Sequence, residues 1–306
     1  MNWFCVKFQM RSWTASAWQA DTLFGHLCWG LRYLSGESEL KHFLEDYEQK
    51  QPPLLLSNGF PGDFLPAPLL SVPSLDTSLT LEEQKRAYEN IKARKKYRFL
   101  ALSDFNRVIN GQEATLEQPP VIESRRVTVK NQINRLTDTT GQEGSLFNFL
   151  EYFTPEITIY LKITDTFVSS AETLFRYIAD TGYGKRKSIG YGQIEKYTFE
   201  PFTGFDIPSS ANGFVSLSNF VPAASDPLQG NWRTITKYGK MGEEYSLEDN
   251  AFKKPLLMLE AGAAFYDCPV RSHYGCLVKN LNPLYTEAVQ YAFALPVPAS
   301  LLLIEN

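Results

Sequence analysis

Little in this chain of 306 residues is present in excess, and what is scarce limits what it can do. No apolar run approaches the roughly 20 residues that a helix needs to cross a bilayer, so a helical membrane anchor is not expected. Four cysteines are too few for a disulfide framework at this length. Cys268 and Cys276 have only His273 nearby, and Cys5 and Cys28 sit in apolar surroundings, so no zinc spacing appears and buried or idle thiols are the reading. The N-terminus places Lys7 inside an alternating stretch and has neither a long apolar core nor a small-residue cleavage site, which argues against a signal peptide and for a reducing cytoplasm. Nor is there an excess of either charge: 30 Lys and Arg stand against 34 Asp and Glu, for a net charge of -4. That balance disfavours a protein that coats nucleic acid non-specifically but leaves room for local basic grooves. The 43% apolar and 21% charged composition is that of an ordinary globular protein, and the length favours two domains.

Against this background one stretch stands out, Thr181-Gly182-Tyr183-Gly184-Lys185-Arg186-Lys187-Ser188-Ile189-Gly190-Tyr191-Gly192. Glycines hold positive φ and let a backbone lie close against a ligand with its N–H groups aimed at anions, while three successive cations supply charge. The pattern suits phosphate, and equally a surface turn with solvated cations. It is not a nucleotide P-loop, because Arg186 stands where a Mg²⁺-binding Ser or Thr is required, and Lys187 occupies the place of the third glycine in a dinucleotide fingerprint.

The flanks give the loop a context. Upstream, Glu156–Ile163 alternates with Ile157, Ile159, Leu161 and Ile163 on one side, as a strand does. Ser169-Ser170-Ala171-Glu172 then reads as a capping box, opening a helix whose apolar face is Leu174, Phe175, Ile178 and Ala179 and which ends at Gly182. Downstream, 193–199 has strand character. Strand, helix, basic loop, strand is the second half of a ferredoxin-like βαββαβ unit.

The first half opens the chain. Asn2–Met10 is an aromatic-rich strand with Phe4, Val6 and Phe8 on one face, and Asp21 is the expected cap of a helix to about Leu34. His26, Trp29 and Arg32 project away from its apolar stripe. A second helix is expected over 37–49, followed by an extended, proline-rich segment 52–70 with a turn at Pro61-Gly62-Asp63. Lys85, Arg86, Lys92, Arg94, Lys95, Lys96 and Arg98 then cluster in a helix-like segment with Glu82, Glu83 and Glu89, most simply a solvated face. Residues 105–136 have hairpin character, with Asn110-Gly111 as the turn and Val127-Thr128-Val129 as a β run, and an extended basic arm is expected there. The group 131–140 is rich in amides and hydroxyls and suits either a hydrogen-bonded loop or the reading of sugar and phosphate oxygens. From residue 201 the chain turns to short strands split by Gly, Pro and Asn: 213–220, 232–238, 255–260, 263–266, 275–279 and 290–295, with Pro296 and Pro298 closing the last.

Four patches, Asp21-Thr22-Leu23-Phe24-Gly25, Ile133-Asn134-Arg135-Leu136-Thr137, the loop 182–192 and Tyr291-Ala292-Phe293-Ala294-Leu295-Pro296, occur in the order seen in the RAMP superfamily of CRISPR-associated proteins. The chain resembles that family over nearly its whole length, and within it the fourth subunits of type III-A (Csm) interference complexes. The resemblance implies an α+β fold of two ferredoxin-like (RRM-like) domains with an inserted thumb hairpin. Residues 1–200 would form the first, with the insertion at about 75–140, and 201–306 a smaller β-rich second. It further implies a non-catalytic, cofactor-free RNA-binding role in antiviral defence, capping the 5′ tag of the CRISPR RNA (crRNA). Such a subunit docks beside the large polymerase-like subunit and the RAMP backbone subunits and meets target RNA indirectly. The residues placed on RNA would be Gly182, Gly184, Lys185, Arg186, Lys187, Ser188, Gly190, Tyr191 and Gly192 of the loop, with Arg125, Arg126, Asn131, Asn134 and Arg135 of the arm. Lys185-Arg186-Lys187 and Ile189 depart from the commonest loop pattern of the family.

Trp13, Trp18 and Tyr191 are candidates to stack on bases or simply to pack. The competing function is a metal-independent endoribonuclease using His26 as general acid or base, since some RAMP relatives cut precursor RNA in that way. His42 and His273 have no better context. A purely protein-binding assembly subunit is the third reading, and it leaves the basic loop without a purpose.

Overall fold

The computed structural model describes residues 1–70, 80, 82–85, 89, 97–114, 123–131, 133–140, 146–247 and 250–301. Most of the basic helix-like segment, from Arg86 to Lys96, lies outside them.

Alternating apolar residues produce a four-stranded antiparallel sheet in the order Ile194–Pro201, Asn2–Met10, Glu156–Ile163, Leu54–Pro61. Val6 sits between Phe199 and Ile159, so the two halves of the unit meet along the first strand. The crossovers are the helices Ala20–Ser35 and Val168–Thr181, which cover one face and give the strand and helix order of a split βαβ arrangement. Phe8 and Phe199 each lie 6.3 Å from Phe175 of the second helix. Phe8 and Phe175 are fully buried, and burying a ring of this kind contributes about 1.5–3 kcal/mol. The extended segment after residue 52 is thus an edge strand of the main sheet, with Leu54, Leu55 and Leu56 all fully buried.

Local expectations at the helix ends need correction. Asp21 is in the first turn of its helix and caps nothing; its carboxylate is buried, 2.8 Å from the Lys237 ammonium, and accepts a hydrogen bond from Gln290. Ser169 makes no capping box, because the helix already begins at Val168 after a 3₁₀ turn at Asp165–Phe167. Asn110-Gly111 is not a hairpin turn. It terminates the helix Leu102–Ile109, with Gly111 at φ 73° and the Asn110 amide donating to Asp206 O at 2.7 Å.

That helix closes the second face of the sheet. Phe105 and Ile109 are fully buried, Phe105 lies 5.9 Å from Phe205, and the Phe202 and Phe205 rings stand edge-on or tilted to Tyr160 at 4.9 and 5.3 Å. Lys162 is caught under this cover beside Trp3 (4.6 Å), and burial pushes its pKa down to about 8.

The protruding arm is a hairpin of Ser124–Asn131 with Leu146–Phe153, extended toward its tip by the pair Ile133–Asn134 and Thr139–Thr140. Residues 201–301 carry the expected short strands, arranged as one four-stranded sheet and two pairs. No α-helix occurs there among the described residues, so the βαββαβ order is not repeated in them. Pro296 and Pro298 do not close the last strand; they form an edge strand, Pro296–Ala299, on Gly213–Ser216, where a missing N–H is tolerated. Tyr291, Phe293, Leu295 and Val297 share one buried cluster with the first sheet, and the Leu56 amide donates to the Tyr291 hydroxyl at 3.0 Å.

Candidate nucleic-acid interface

The glycine loop is built inward from its two ends. Gly182, at φ 83°, ends its helix by donating to Ile178 O at 2.8 Å. Tyr183 then turns into the core, stacks on Trp18 at 3.7 Å, and donates its hydroxyl to Ala17 O at 2.7 Å. The base closes where the Tyr183 amide donates to Gly192 O (2.9 Å) and the Gly192 amide to Trp13 O (2.8 Å). A Cβ on Gly192, at φ 63°, would lie 1.9 Å from Tyr183 O, so only glycine fits. The polar segment 11–19 is the loop's second wall. Ser16 Oγ accepts from the Lys185 amide at 3.0 Å, Ser12 Oγ from the Gln193 amide at 2.8 Å, and His26 Nε2 from the Gly184 amide at 2.9 Å.

These bonds limit the backbone donors left over at the loop. The amides of Ile189, Gly190 and Tyr191 return to carbonyls of Arg186 and Lys187, whereas those of Arg186, Lys187 and Ser188 have no protein partner among the described residues. The three adjacent cations also diverge. Lys185 is exposed, the Arg186 guanidinium lies 4.5 Å over the Phe149 ring, and Lys187 Nζ is 2.7 Å from Glu243.

The hairpin lies against this loop. One of its faces presents Arg126, Thr128, Lys130, Phe147, Phe149 and Glu151 toward it, as the register requires. The Glu151 side chain is fully buried at the centre, accepting from Arg126, Tyr191 and Thr128 (3.2 Å), with Lys130 at 3.4 Å. Burial alone would raise its pKa; the bonds from Tyr191, Arg126, Thr128 and Lys130 overturn that and hold it at about 2. Arg126 also covers the Trp13 ring at 4.2 Å. The opposite face, with Val127, Val129, Leu146 and Leu150, is exposed.

The expected residues are therefore only partly convergent. Loop, Arg126 and Lys130 form one surface. Arg125 points to the other side, beside Tyr152 and a cleft of about 580 Å³ that also takes in Trp18, Arg98 and Arg233. Asn131, Asn134 and Arg135 lie further out along the exposed hairpin, where Asn134 Oδ1 caps the Leu136 amide at 2.9 Å. Trp13, Trp18 and Tyr191 are each engaged by protein partners, and the sealed sheet face offers no open platform of the kind on which RRM aromatics stack bases. Sequence reasoning missed Glu151, Ser16, Tyr183 and Glu243. Only the non-periodic, serine-containing run before the first helix could have pointed to Ser16.

His26, the candidate general acid or base, is held within the fold. Burial, then the charge of Lys187, push its pKa down to about 3, and its Nε2 is occupied by the Gly184 amide. No group of three or more His, Cys, Asp or Glu side chains able to hold a metal ion occurs among the described residues, and no helix among them is long and apolar enough to cross a membrane.

The two crossover helices, the inserted hairpin and the glycine-rich basic loop all fall within the stretch that the model of the RAMP superfamily matches. That model matches residues 19–195, more than half of the chain, and the chain belongs to this superfamily. In particular it is similar to the "CRISPR system Cms protein Csm4" of Thermococcus onnurineus (strain NA1), 27% identical over 232 residues that cover 72% of this chain and 74% of that one. Its fold is that of a chain of the Csm1-Csm4 cassette (TM-score 0.67, 17% identity, 99% of both chains). A chain of the Csm3-Csm4 subcomplex of the type III-A CRISPR-Cas interference complex matches as well (TM-score 0.65, 12% identity, 98% of this chain and 100% of that one). The protein is a Csm4-like RAMP protein.

Proposed function

We propose that the chain is a non-catalytic crRNA-binding subunit of a type III-A interference complex, capping the 5′ tag. The reading extends to docking beside a large subunit like Csm1 and backbone subunits like Csm3, the partners named for the structural neighbours, with target RNA met indirectly and the cytoplasm as the site of action. It also divides the chain near residue 201 into a ferredoxin-like RAMP unit carrying the thumb and a smaller β-rich unit that shares its core.

The observation that carries the proposal is the exposed corner where the amides of Arg186, Lys187 and Ser188, unpartnered among the described residues, meet Lys185 and Arg186 beside the hairpin. It offers backbone donors and cations without base-reading pockets, which suits a phosphate backbone more than a base sequence. The nuclease reading is disfavoured by His26, whose general-base nitrogen is already hydrogen-bonded within the fold.

Changing Lys185 and Arg186 together to Ala tests the proposal in a salt titration of single-stranded RNA binding. Each cation that no longer neutralises a phosphate takes roughly 0.7 off the log–log slope, so the double variant is expected to lower it by about 1.4. Lys187 is left out because its charge is already matched by Glu243. An unchanged slope and affinity would move the RNA site away from the loop.

A further inference from the structure

A strap from the C-terminal half crosses the first helix and reaches the glycine loop. It comprises Gly239 to Met241, Gly242, and the 3₁₀ turn Glu243–Leu247. Three contacts pin it to the helix. Gly242 packs so closely on Trp29 that a Cβ there would lie 2.7 Å from the indole nitrogen; Glu244 pairs with Arg32 at 3.6 Å and meets the Tyr33 hydroxyl at 3.5 Å; and the Tyr245 ring lies 6.0 Å from Trp29. Held in this way, Glu243 aims its carboxylate at Lys187, with 19% and 26% of the Lys187 and Glu243 side chains exposed.

The backbone of Glu243 has φ 46°, a left-handed conformation that a residue with a Cβ seldom adopts. The surrounding contacts, including Ser246 Oγ donating to Glu243 O at 2.6 Å, hold it there. Strain of this kind persists where the neighbours over-determine it, and it gathers at binding and switching sites. Here it places an anionic oxygen against one cation of a loop whose two neighbouring cations, Lys185 and Arg186, have no carboxylate partner among the described residues. A carboxylate and a phosphate oxygen are chemically equivalent acceptors for an ammonium group.

We infer that Glu243 is an internal competitor of RNA, occupying Lys187 in the free protein and surrendering it to a phosphate when RNA binds. This rests on the reading of the loop as an RNA site. The strap then couples loop occupancy to its own position on the first helix, so the C-terminal half senses whether the loop is filled.

The test compares full-length wild type, Glu243→Gln, Lys187→Ala, and the double variant Glu243→Gln/Lys187→Ala in titrations with a labelled single-stranded oligoribonucleotide at several salt concentrations. Gln preserves size and shape, and superposable unfolding curves check the fold. Glu243→Gln is expected to bind several-fold more tightly at low salt, because Lys187 no longer has to leave a carboxylate, while the slope stays near that of wild type, since Lys187 meets one phosphate in both complexes. Adding Lys187→Ala removes the gain in affinity and takes roughly 0.7 off the slope. Equal or weaker binding by Glu243→Gln, or a gain that survives Lys187→Ala, overturns the inference. The Lys185→Ala/Arg186→Ala variant separates the two levels: if it lowers the slope while Glu243→Gln changes nothing, only the competitor fails, and if it too changes nothing, the loop reading fails with it.

Discussion

Gly190 and Gly192 look alike in the sequence, yet the structure predicts very different consequences for the same substitution. Gly190 has φ 92°, and nothing lies within 4 Å of where its Cβ would be. Gly190→Ala therefore carries only the conformational penalty of a left-handed residue, about 1–2 kcal/mol. Gly192→Ala carries that penalty too, at φ 63°, but its Cβ would fall 1.9 Å from Tyr183 O and 2.9 Å from Tyr183 C. Those are backbone atoms, so the loop base has to open. The Tyr183–Gly192 and Gly192–Trp13 hydrogen bonds go with it, at about 1 kcal/mol each and more where a buried group is left unpaired. The total is on the order of 4 kcal/mol, large for a point substitution. Urea unfolding followed by tryptophan fluorescence provides the comparison, because Trp18 stacks on Tyr183 and reports the loop base. Gly192→Ala should lower the midpoint far more than Gly190→Ala at an unchanged m-value and should abolish RNA retention even where the protein stays folded. Equal shifts for the two variants would refute a closed loop base.

His26 makes the loop acid-sensitive. Its folded pKa is depressed to about 3, so its contribution is complete above the unfolded value of about 6.5 and declines as pH falls from there toward 3. Between pH 8 and pH 5 wild type should lose at most ~2 kcal/mol from this group, less where water reaches the ring, and His26→Gln, which keeps an acceptor but does not titrate, should lose little in paired urea titrations. An identical pH profile in the two proteins would exclude His26 as the group responsible. Glu151→Gln should release the hairpin from the loop, since Arg126 and Lys130 lose the charge that they share; because both cations are partly solvated, the cost falls below the about 3–5 kcal/mol of breaking a fully buried pair. Hydrogen exchange should then rise in 124–131 and 146–153 but not in the four-stranded sheet, and unaltered protection of the hairpin would count against the Glu151 hub.

The sequence by itself determined those features whose physics is local. The period-two runs of Asn2–Met10 and Glu156–Ile163, the Val127-Thr128-Val129 strand and the end of the helix at Gly182 all appear where expected, because side-chain alternation and a glycine C-cap involve neighbours along the chain. The resemblance carried by the four patches likewise led to the superfamily before any fold was known. Asn110-Gly111 misled because a turn signal does not say what precedes it; burial of Ile109, and of Phe105 against Phe205, made that stretch a helix. The tip was consequently expected too early in the chain, and the hairpin's second strand, Leu146–Phe153, was not assigned to it. What only the tertiary structure decided was which charges remain available. Lys187 is matched by Glu243, 56 positions away, Arg126 and Lys130 by Glu151 across the hairpin, and the Gly184 amide by His26, 158 positions earlier. A cation's ability to hold a phosphate depends on whether a carboxylate already neutralises it, and pairings over such separations leave no period or spacing in the sequence.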